Sequence, residues 1–477
     1  MTDPIVIVSA ARTPMGSFQG GLSSLTAANL GAVVIRAAVE RAGIDANLID
    51  EVLMGCVLPA GQGQAPARQA ALQAGLPLSA GCATINKVCG SAMKATMLGH
   101  DAIVAGSSNV VVAGGMESMT NAPYLLPKAR GGYRLGHGQV IDHMFMDGLE
   151  DAYSKENRGR LMGTFAEDCA GAYGFTRAAQ DEFAIRSTTR AKQASDDGSF
   201  AWEIAPVTVA GRQGDVVIAR DEGPFAVNIE KIPTLKPAFR KDGTVTPANS
   251  SSISDGAAAM ILMRASQAAK LGLAPIARIV AHATHAHAPA LFPMAPVGAM
   301  QKLFAKTGWT AAGVDLYEIN EAFAVVAGDD DERPLQEALG LQRIDDPADI
   351  GVGIPDLTFV KAPQRIRSSA RPAVAVADIR SMGVVEVDPA KEFPAVSGGV
   401  EPAGEFLINP VGADLRLLAP AQEQALPDDA VHAEVRGLGR LIQVEAPGGD
   451  EDEDQLFLVV LLPRELGQGL PMAREVP

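Results

Sequence analysis

Among the 477 residues, four thiols, Cys56, Cys82, Cys89 and Cys169, are the side chains best suited to nucleophilic chemistry, and one stands in a setting that favours it. In INKVCGSAMKA, Ile85 to Ala95, Cys89 comes immediately before Gly90 and Ser91, where Met93, Ala95 and Met97 begin an apolar helical face. Backbone N–H groups and the dipole at a helix start favour the thiolate, which is the attacking form of cysteine. Free cysteines are more often inert core residues, so the surroundings must decide. The four lack metal-ligand spacing, and a large non-secreted chain needs no disulfide framework, so they read as reduced thiols. His282, His285 and His287 have the spacing of a metal cluster, but no carboxylate or cysteine stands near them, and they read as structural. Gly114-Gly115 lacks the Lys-Ser or Lys-Thr of a phosphate loop, and the acid runs Asp329 to Glu332 and Glu451 to Asp454 read as solvated surface.

The elements that must position Cys89 alternate. Ile5 to Ser9 is a short apolar strand, Leu30, Val34 and Ala38 mark a helical face, Val52 to Met54 is a second strand, and Val110 to Ala113 a buried one ended by Gly114 and Gly115. The pattern predicts a mostly parallel sheet covered by helices, with Cys89 at a strand-to-helix junction. From about Asn121 to Pro247 the texture is Gly-rich, Met-rich and charged, with an amphipathic helix from Arg177 to about Ala194 that Thr176 caps. This reads as an inserted, loop-rich substrate domain. The βα alternation then resumes, with strand-like Gly256 to Met263 and Ala277 to Ala281, a helix Val297 to Lys306 and a strand Val314 to Ile319, as in a second copy of the first half.

The alternation stops at Ala327. Up to that residue there are 28 acids against 27 Lys and Arg; beyond it there are 28 against 13, so the tail carries 15 of the 16 net negative charges. The acidic balance disfavours nucleic acid and anionic membranes as partners. The length exceeds the ~250 to 300 residues at which single cores stop growing. The opening MTDPIVIVSAARTP has Asp3 and no basic flank, and no window approaches ~18 apolar residues, which places the protein in the cytoplasm.

The block around Cys89 resembles the nucleophile motif of thiolases, and further segments match that family in order. They are AARTPMGSFQGGLSSL, GQGQAPARQAAL (Gly61 to Leu72), GGMESMTNAPYLL (Gly114 to Leu126), MGTFAED (Met162 to Asp168), NSSSISDGAAA (Asn249 to Ala259), APVGA (Ala295 to Ala299) and EINEAFAVVA (Glu318 to Ala327). The resemblance covers about two thirds of the chain and is nearest to bacterial acetyl-CoA acetyltransferases and 3-ketoacyl-CoA thiolases of short to medium chain length. It implies an α/β protein of the thiolase fold, two similar βαβαβ halves with an inserted loop domain, the second half incomplete, followed by an atypical acidic C-terminal segment. The boundaries are 1–120 for the N-terminal half, 121–247 for the insert, 248–274 for the return to the first half, 275–327 for the start of the second half, and 328–477 for a tail of unknown fold. It also implies acyl exchange between coenzyme A thioesters. In that scheme Cys89 carries the acyl group, Asn320 holds a water that steadies the developing oxyanion or enolate, Ser251 lies near the pantetheine, and Phe323 and Met162 belong to the substrate site. Acyl-CoA substrates and a homo-oligomer, dimer or tetramer, are implied, with neither metal nor cofactor. Asn320 as a helix N-cap and Ser251 as a plain loop hydroxyl remain open alternatives.

Two family features are absent. The Gly-His-Pro block, whose histidine activates the nucleophile, does not follow NEAFA, for His432 in AVHAEV is the only histidine beyond Ala327; nor does any cysteine follow Cys169 to supply the family's second, Cys-x-Gly thiol. A severely impaired acyltransferase and a non-catalytic descendant that binds coenzyme A esters or partner subunits both fit. A true fusion and a change of reading frame after Ala327 also both fit. The tail, acidic and with four aromatics (Phe359, Phe393, Phe406, Phe457), is ill suited to cover the sheet edges of an interrupted half. Limited proteolysis of the native chain is expected to cut first beyond Ala327; equal protection of tail and body would contradict two origins.

Overall fold

The structure, a computed structural model, describes residues 3–327 except 315, together with the strands Leu357–Phe359 and Glu453–Phe457. The chain divides into two compact units, Met1–Val387 with Asp452–Pro477 and Asp388–Glu451, and everything described belongs to the first. The expectation of a loosely packed tail falls on residues outside those described, apart from the two strands.

The first elements follow the predicted alternation: β1 (Ile5–Arg12), β2 (Gly16–Ser17), α1 (Ala27–Ala42), β3 (Glu51–Gly55), α2 (Pro66–Ala74), β4 (Gly81–Ile85), α3 (Ser91–Ala105) and β5 (Val110–Ser118). The next stretch holds β6 (Tyr124–Leu125), β7 (Ile141–Asp142), α4 (His143–Gly148), α5 (Met162–Tyr173), α6 (Arg177–Asp196), β8 (Val207–Val209), β9 (Val216–Ile218) and α7 (Gly223–Ala226). Then come β10 (Ser254–Arg264), α8 (Ala265–Lys270), β11 (Ala277–Arg278), β12 (Ala283–His287), α9 (Ala295–Thr307), β13 (Leu316–Glu318) and α10 (Ala324–Ala327). Thr26 and Thr176 cap α1 and α6 through their hydroxyls, each freeing the helix start from an unpaired N–H.

The main sheet runs β11-β1-β10-β5-β3-β4, with β2 also on β10. It is mixed rather than mostly parallel. β3 is parallel to β4 and β5, but β10 is antiparallel to both β1 and β5, and β11 is antiparallel to β1. The parallel rule holds where short βα crossovers join neighbouring strands; β10 returns from a long excursion and is free to enter in either direction. Both faces of the sheet are buried, with the alternation this requires. Val6, Val8, Val112, Ile261 and Met263 pack with α1 and α2, whereas Ile5, Ile7, Val111, Ala113, Met260 and Leu262 pack with α3. Each such aliphatic side chain contributes ~1.5 to 3 kcal/mol when fully buried.

Two expected boundaries differ. β5 continues through Gly114 and Gly115 to Ser118, because those glycines sit inside the sheet rather than at its edge. The predicted strand Ala277 to Ala281 is only two residues long, and the next strand contains His285 and His287. The strands Leu357–Phe359 and Glu453–Phe457 pair antiparallel with β13 and β12. Among the described residues no helix is long and apolar enough to cross a membrane.

At Gly114 the two central strands approach so closely that an added Cβ would overlap the backbone carbonyl of Ala258. Gly114→Ala must therefore force β5 and β10 apart, with a loss of ~1 to 3 kcal/mol expected for overpacking. Thermal unfolding of the full chain measures it, and an unchanged midpoint would show that the strands are not in this register.

Candidate active site

Cys89 lies in the five-residue connection from β4 to α3, half-buried, on a backbone held in an unusual form. Val88 has φ 51°, a left-handed conformation that a β-branched residue adopts only when its surroundings impose it. The imposing contacts are local. Asn86 Oδ1 accepts the Val88 N–H at 3.0 Å, the Ser91 hydroxyl donates to the Val88 carbonyl at 2.6 Å, and Ser91 Oγ accepts the Lys87 N–H at 2.8 Å. Gly90, the N-cap residue of α3, supplies no side-chain cap, and the Ser91 N–H donates to the Val88 carbonyl at 3.0 Å, so the start of the helix and its dipole face the Cys89 end.

The elbow is pressed from below by β3. A Cβ on Gly55 would stand 2.7 Å from the backbone of Ser91 and Ala92, so only glycine admits this helix start. The next residues are clamped by Glu117, 1% exposed, which accepts the N–H of Val57 at 2.7 Å and of Leu58 at 3.2 Å and faces the Cys56 thiol at 3.6 Å. Burial pushes the Glu117 carboxyl up to about 7, against the pull of those N–H groups toward the charged form. Asn86 Nδ2 donates to the Val57 carbonyl at 3.3 Å and so ties the cysteine loop to this clamp. Sequence reasoning missed Glu117; an acid amid GGMES in a buried strand was the available signal.

Ser251, Asn320 and Phe323 meet in a second group. The Ser251 N–H donates to the Ala322 carbonyl at 3.0 Å and its hydroxyl donates to the Glu321 carbonyl at 2.8 Å. Ala324 N–H donates to the Asn249 carbonyl at 3.0 Å, and Ser250 bridges Phe323. Ser251 is thus a clamp on the Asn320 segment as well as a loop hydroxyl. Asn320 lies four residues before α10 begins and is not its N-cap, which removes that alternative. Its amide is half-buried and has no partner among the described residues. Phe323, 1% exposed, packs edge-on to Phe239 and shares a buried cluster with Met162 and Phe165.

The sheet places the two groups at one edge. β3 and β4 end together, Gly55 opposite Ile85, and β5 ends at Ser118, opposite Asp255 at the start of β10. The Cys89 loop leaves that edge and the Ser251 loop enters it. An apolar cluster of Leu58, Met119 and Met144 also takes in Leu161, next to Met162 in the chain, and Ile253, two residues after Ser251. Open parallel strands present ligand crevices at their carboxyl ends.

Cys56 and Cys169 are buried, but Cys82 is half-buried. Burial raises the Cys56 thiol far above its ordinary value, reinforced by Glu117, and pushes Cys169 up to about 11. Cys82 donates to the Ala80 carbonyl at 3.5 Å. The reading of His282 as remote from carboxylates is overturned, because its Nε2 stands 2.9 Å from Asp101 Oδ1, brought close by the fold from 181 positions away.

Residues 5–266 match the family described as Thiolase, N-terminal domain, and residues 273–330 match Thiolase, C-terminal domain. An acetyl-CoA acetyltransferase of Cupriavidus necator is 48% identical over 329 residues, 69% of this chain and 82% of that protein. Acetyl-CoA acetyltransferase 1 of Arabidopsis thaliana is 50% identical over 326 residues, 68% of this chain and 78% of its own. Among solved structures, an acetyl-CoA acetyltransferase from Syntrophomonas wolfei superposes with a TM-score of 0.67 at 37% identity, covering 72% of this chain and 85% of that one. A thiolase from Ascaris suum in complex with coenzyme A gives 0.65 at 40% identity, covering 71% and 85%.

Cys89 is expected to be the first thiol alkylated, since the other three are buried or donate to a carbonyl while it stands half-exposed at a helix start. Mapping the native chain after limiting iodoacetamide tests this, and earlier labelling of Cys56, Cys82 or Cys169 would remove Cys89 as the nucleophile.

Proposed function

The chain belongs to the thiolase family, and we propose that Cys89 is its acyl carrier, accepting an acyl group from a coenzyme A thioester. The observation that carries this reading is the half-buried Cys89 on the strained turn between β4 and α3, two residues before the helix starts. The thiolate attacks the 3-keto carbon of a 3-ketoacyl-CoA, the bond between C2 and C3 breaks, and the departing acetyl-CoA carbanion takes a proton. The thiol of free coenzyme A then attacks the Cys89 thioester, loses its proton and leaves as acyl-CoA; in reverse, two acetyl-CoA yield acetoacetyl-CoA and coenzyme A. Asn320, with an amide left over by the fold, steadies the developing oxyanion through water. Ser251 lies along the pantetheine, and Phe323 and Met162 form the buried wall of the acyl site. Coenzyme A esters are substrates, no cofactor or metal takes part in the transfer, and the working form is a homo-oligomer in the cytoplasm.

Proton transfer is the weak point. Each step needs a positioned base or acid, and the sequence lacks both the second-half histidine and the second cysteine of the family. One such group is worth ~10²- to 10⁴-fold, and residues acting as a unit do not add simply. Slow acylation of Cys89 survives, whereas condensation does not. The same absences favour a second reading, a non-catalytic protein that binds coenzyme A esters.

Acetoacetyl-CoA thiolysis beside a Cys89→Ala control separates the readings. The expected result is turnover well below ~1 s⁻¹, the ordinary enzyme range, with acetyl found on Cys89 by intact-protein mass spectrometry. Turnover in the ordinary range would show another residue standing in for the missing bases, and ester binding without acylation would favour the second reading.

A further inference from the structure

The described residues bring one group of metal-ligating types together outside the acyl site: His100 and Asp101 on the C-terminal half of α3, and His282 in the connection between β11 and β12. His100 Nδ1 is 3.2 Å from Asp101 Oδ1 and His282 Nε2 is 2.9 Å from the same oxygen, the three ligand atoms all lying within 4.8 Å of one another. The imidazoles meet edge to face with centroids 5.0 Å apart. Their side chains are 19% and 20% exposed, while Asp101 is 53% exposed and leaves a way in from solvent.

We propose that His100, Asp101 and His282 form a binding site for a zinc-type divalent cation that ties the cysteine-bearing helix α3 to the connection leading into β12. Tetrahedral zinc holds nitrogen and oxygen ligands at ~2.0 to 2.2 Å, which sets neighbouring donors ~3.3 to 3.6 Å apart. The two imidazole–carboxylate separations, 3.2 and 2.9 Å, need to open by only a few tenths of an ångström, and the two imidazole nitrogens already lie within 4.8 Å of each other. Two imidazoles with one carboxylate suit zinc or a similar first-row ion rather than calcium or magnesium, and water fills the fourth position.

The ligands stand on fixed supports. Gly99, beside His100, is buried where an added Cβ would meet Val111 and Leu262 at 3.0 and 3.1 Å, and the Ile103 carbonyl accepts from Arg264, so this half of α3 is fastened to β5 and β10. The His282 carbonyl accepts from Lys306 Nζ at 2.8 Å, which fixes its backbone. Among the described residues Lys306 is a cation beside His282, and Asp101 offsets it.

The site is independent of the acyl reading, lying about ten residues, or ~15 Å of helix, from Cys89. The test uses the full chain stripped with chelator and titrated with zinc alone. About one zinc per chain is expected to survive desalting and to raise the thermal midpoint. Asp101→Asn and His282→Ala should each weaken binding at least ~10-fold, the loss that even supporting residues of metal sites produce. His137→Ala, in an exposed loop, should leave binding intact. Cobalt substitution should give a tetrahedral visible spectrum without a thiolate charge-transfer band, which separates this site from the thiols. Absence of zinc in the wild-type chain, undiminished zinc in both ligand variants, or a thiolate band would each overturn the proposal. Asp101→Asn alters a solvent-facing side chain, so its result stands even where His282→Ala fails to fold.

Discussion

The end of β3 presses against the first turn of α3 at a distance only glycine allows, and the placement of Cys89 follows from that contact. Gly55 carries no side chain to push Ser91 and Ala92 away, so the helix begins directly above the sheet edge. In the five-residue connection from β4 to α3, Val88 takes the left-handed conformation while Asn86 and Ser91 hydrogen-bond the turn shut. A side chain on such a turn is held out at the edge instead of being drawn into the core. Strain of this kind persists where surrounding structure over-determines the backbone.

Beneath the turn, Glu117 converts a buried charge problem into a fastening. Its carboxylate answers two backbone N–H groups that would otherwise be buried without partners, at the expense of taking a carboxyl out of water. Strand β10 performs the corresponding task for the other half of the site. It enters antiparallel between β1 and β5, so its first residues arrive at the same edge as the ends of β3, β4 and β5. The loop just before it is laced to residues 321–324 through Ser251, Ser250 and Asn249. A segment more than two hundred positions from Cys89 is thereby delivered to the cysteine's edge of the sheet.

The chain matches the family's N-terminal domain over residues 5–266 and its C-terminal domain only over residues 273–330. Family matches end at residue 330, where the acidic composition begins. The Cys89 turn, the Glu117 clamp and the sheet that carries them all lie within the residues matched to the family's N-terminal domain.

Periodicity and motif spacing were enough to read Cys89 at a strand-to-helix junction, the helices α1, α3, α6 and α9 within a few residues, and the family itself, because each depends on local propensity or on a contiguous block. The direction of β10 was not legible, since a strand returning after a long excursion carries no local mark of its neighbours. Gly114 and Gly115 read as a strand end, because glycine's local preference for turns says nothing about a strand that must make room for another. His282 looked isolated for a similar reason, as Asp101 comes to it only through the packing of α3 beside the β11–β12 connection. Composition and motif thus determined the chemistry at hand and the elements that carry it. Tertiary structure alone decided which distant residues share an edge, because long-range pairing is chosen by the packing of the whole sheet and leaves no periodic trace in the chain.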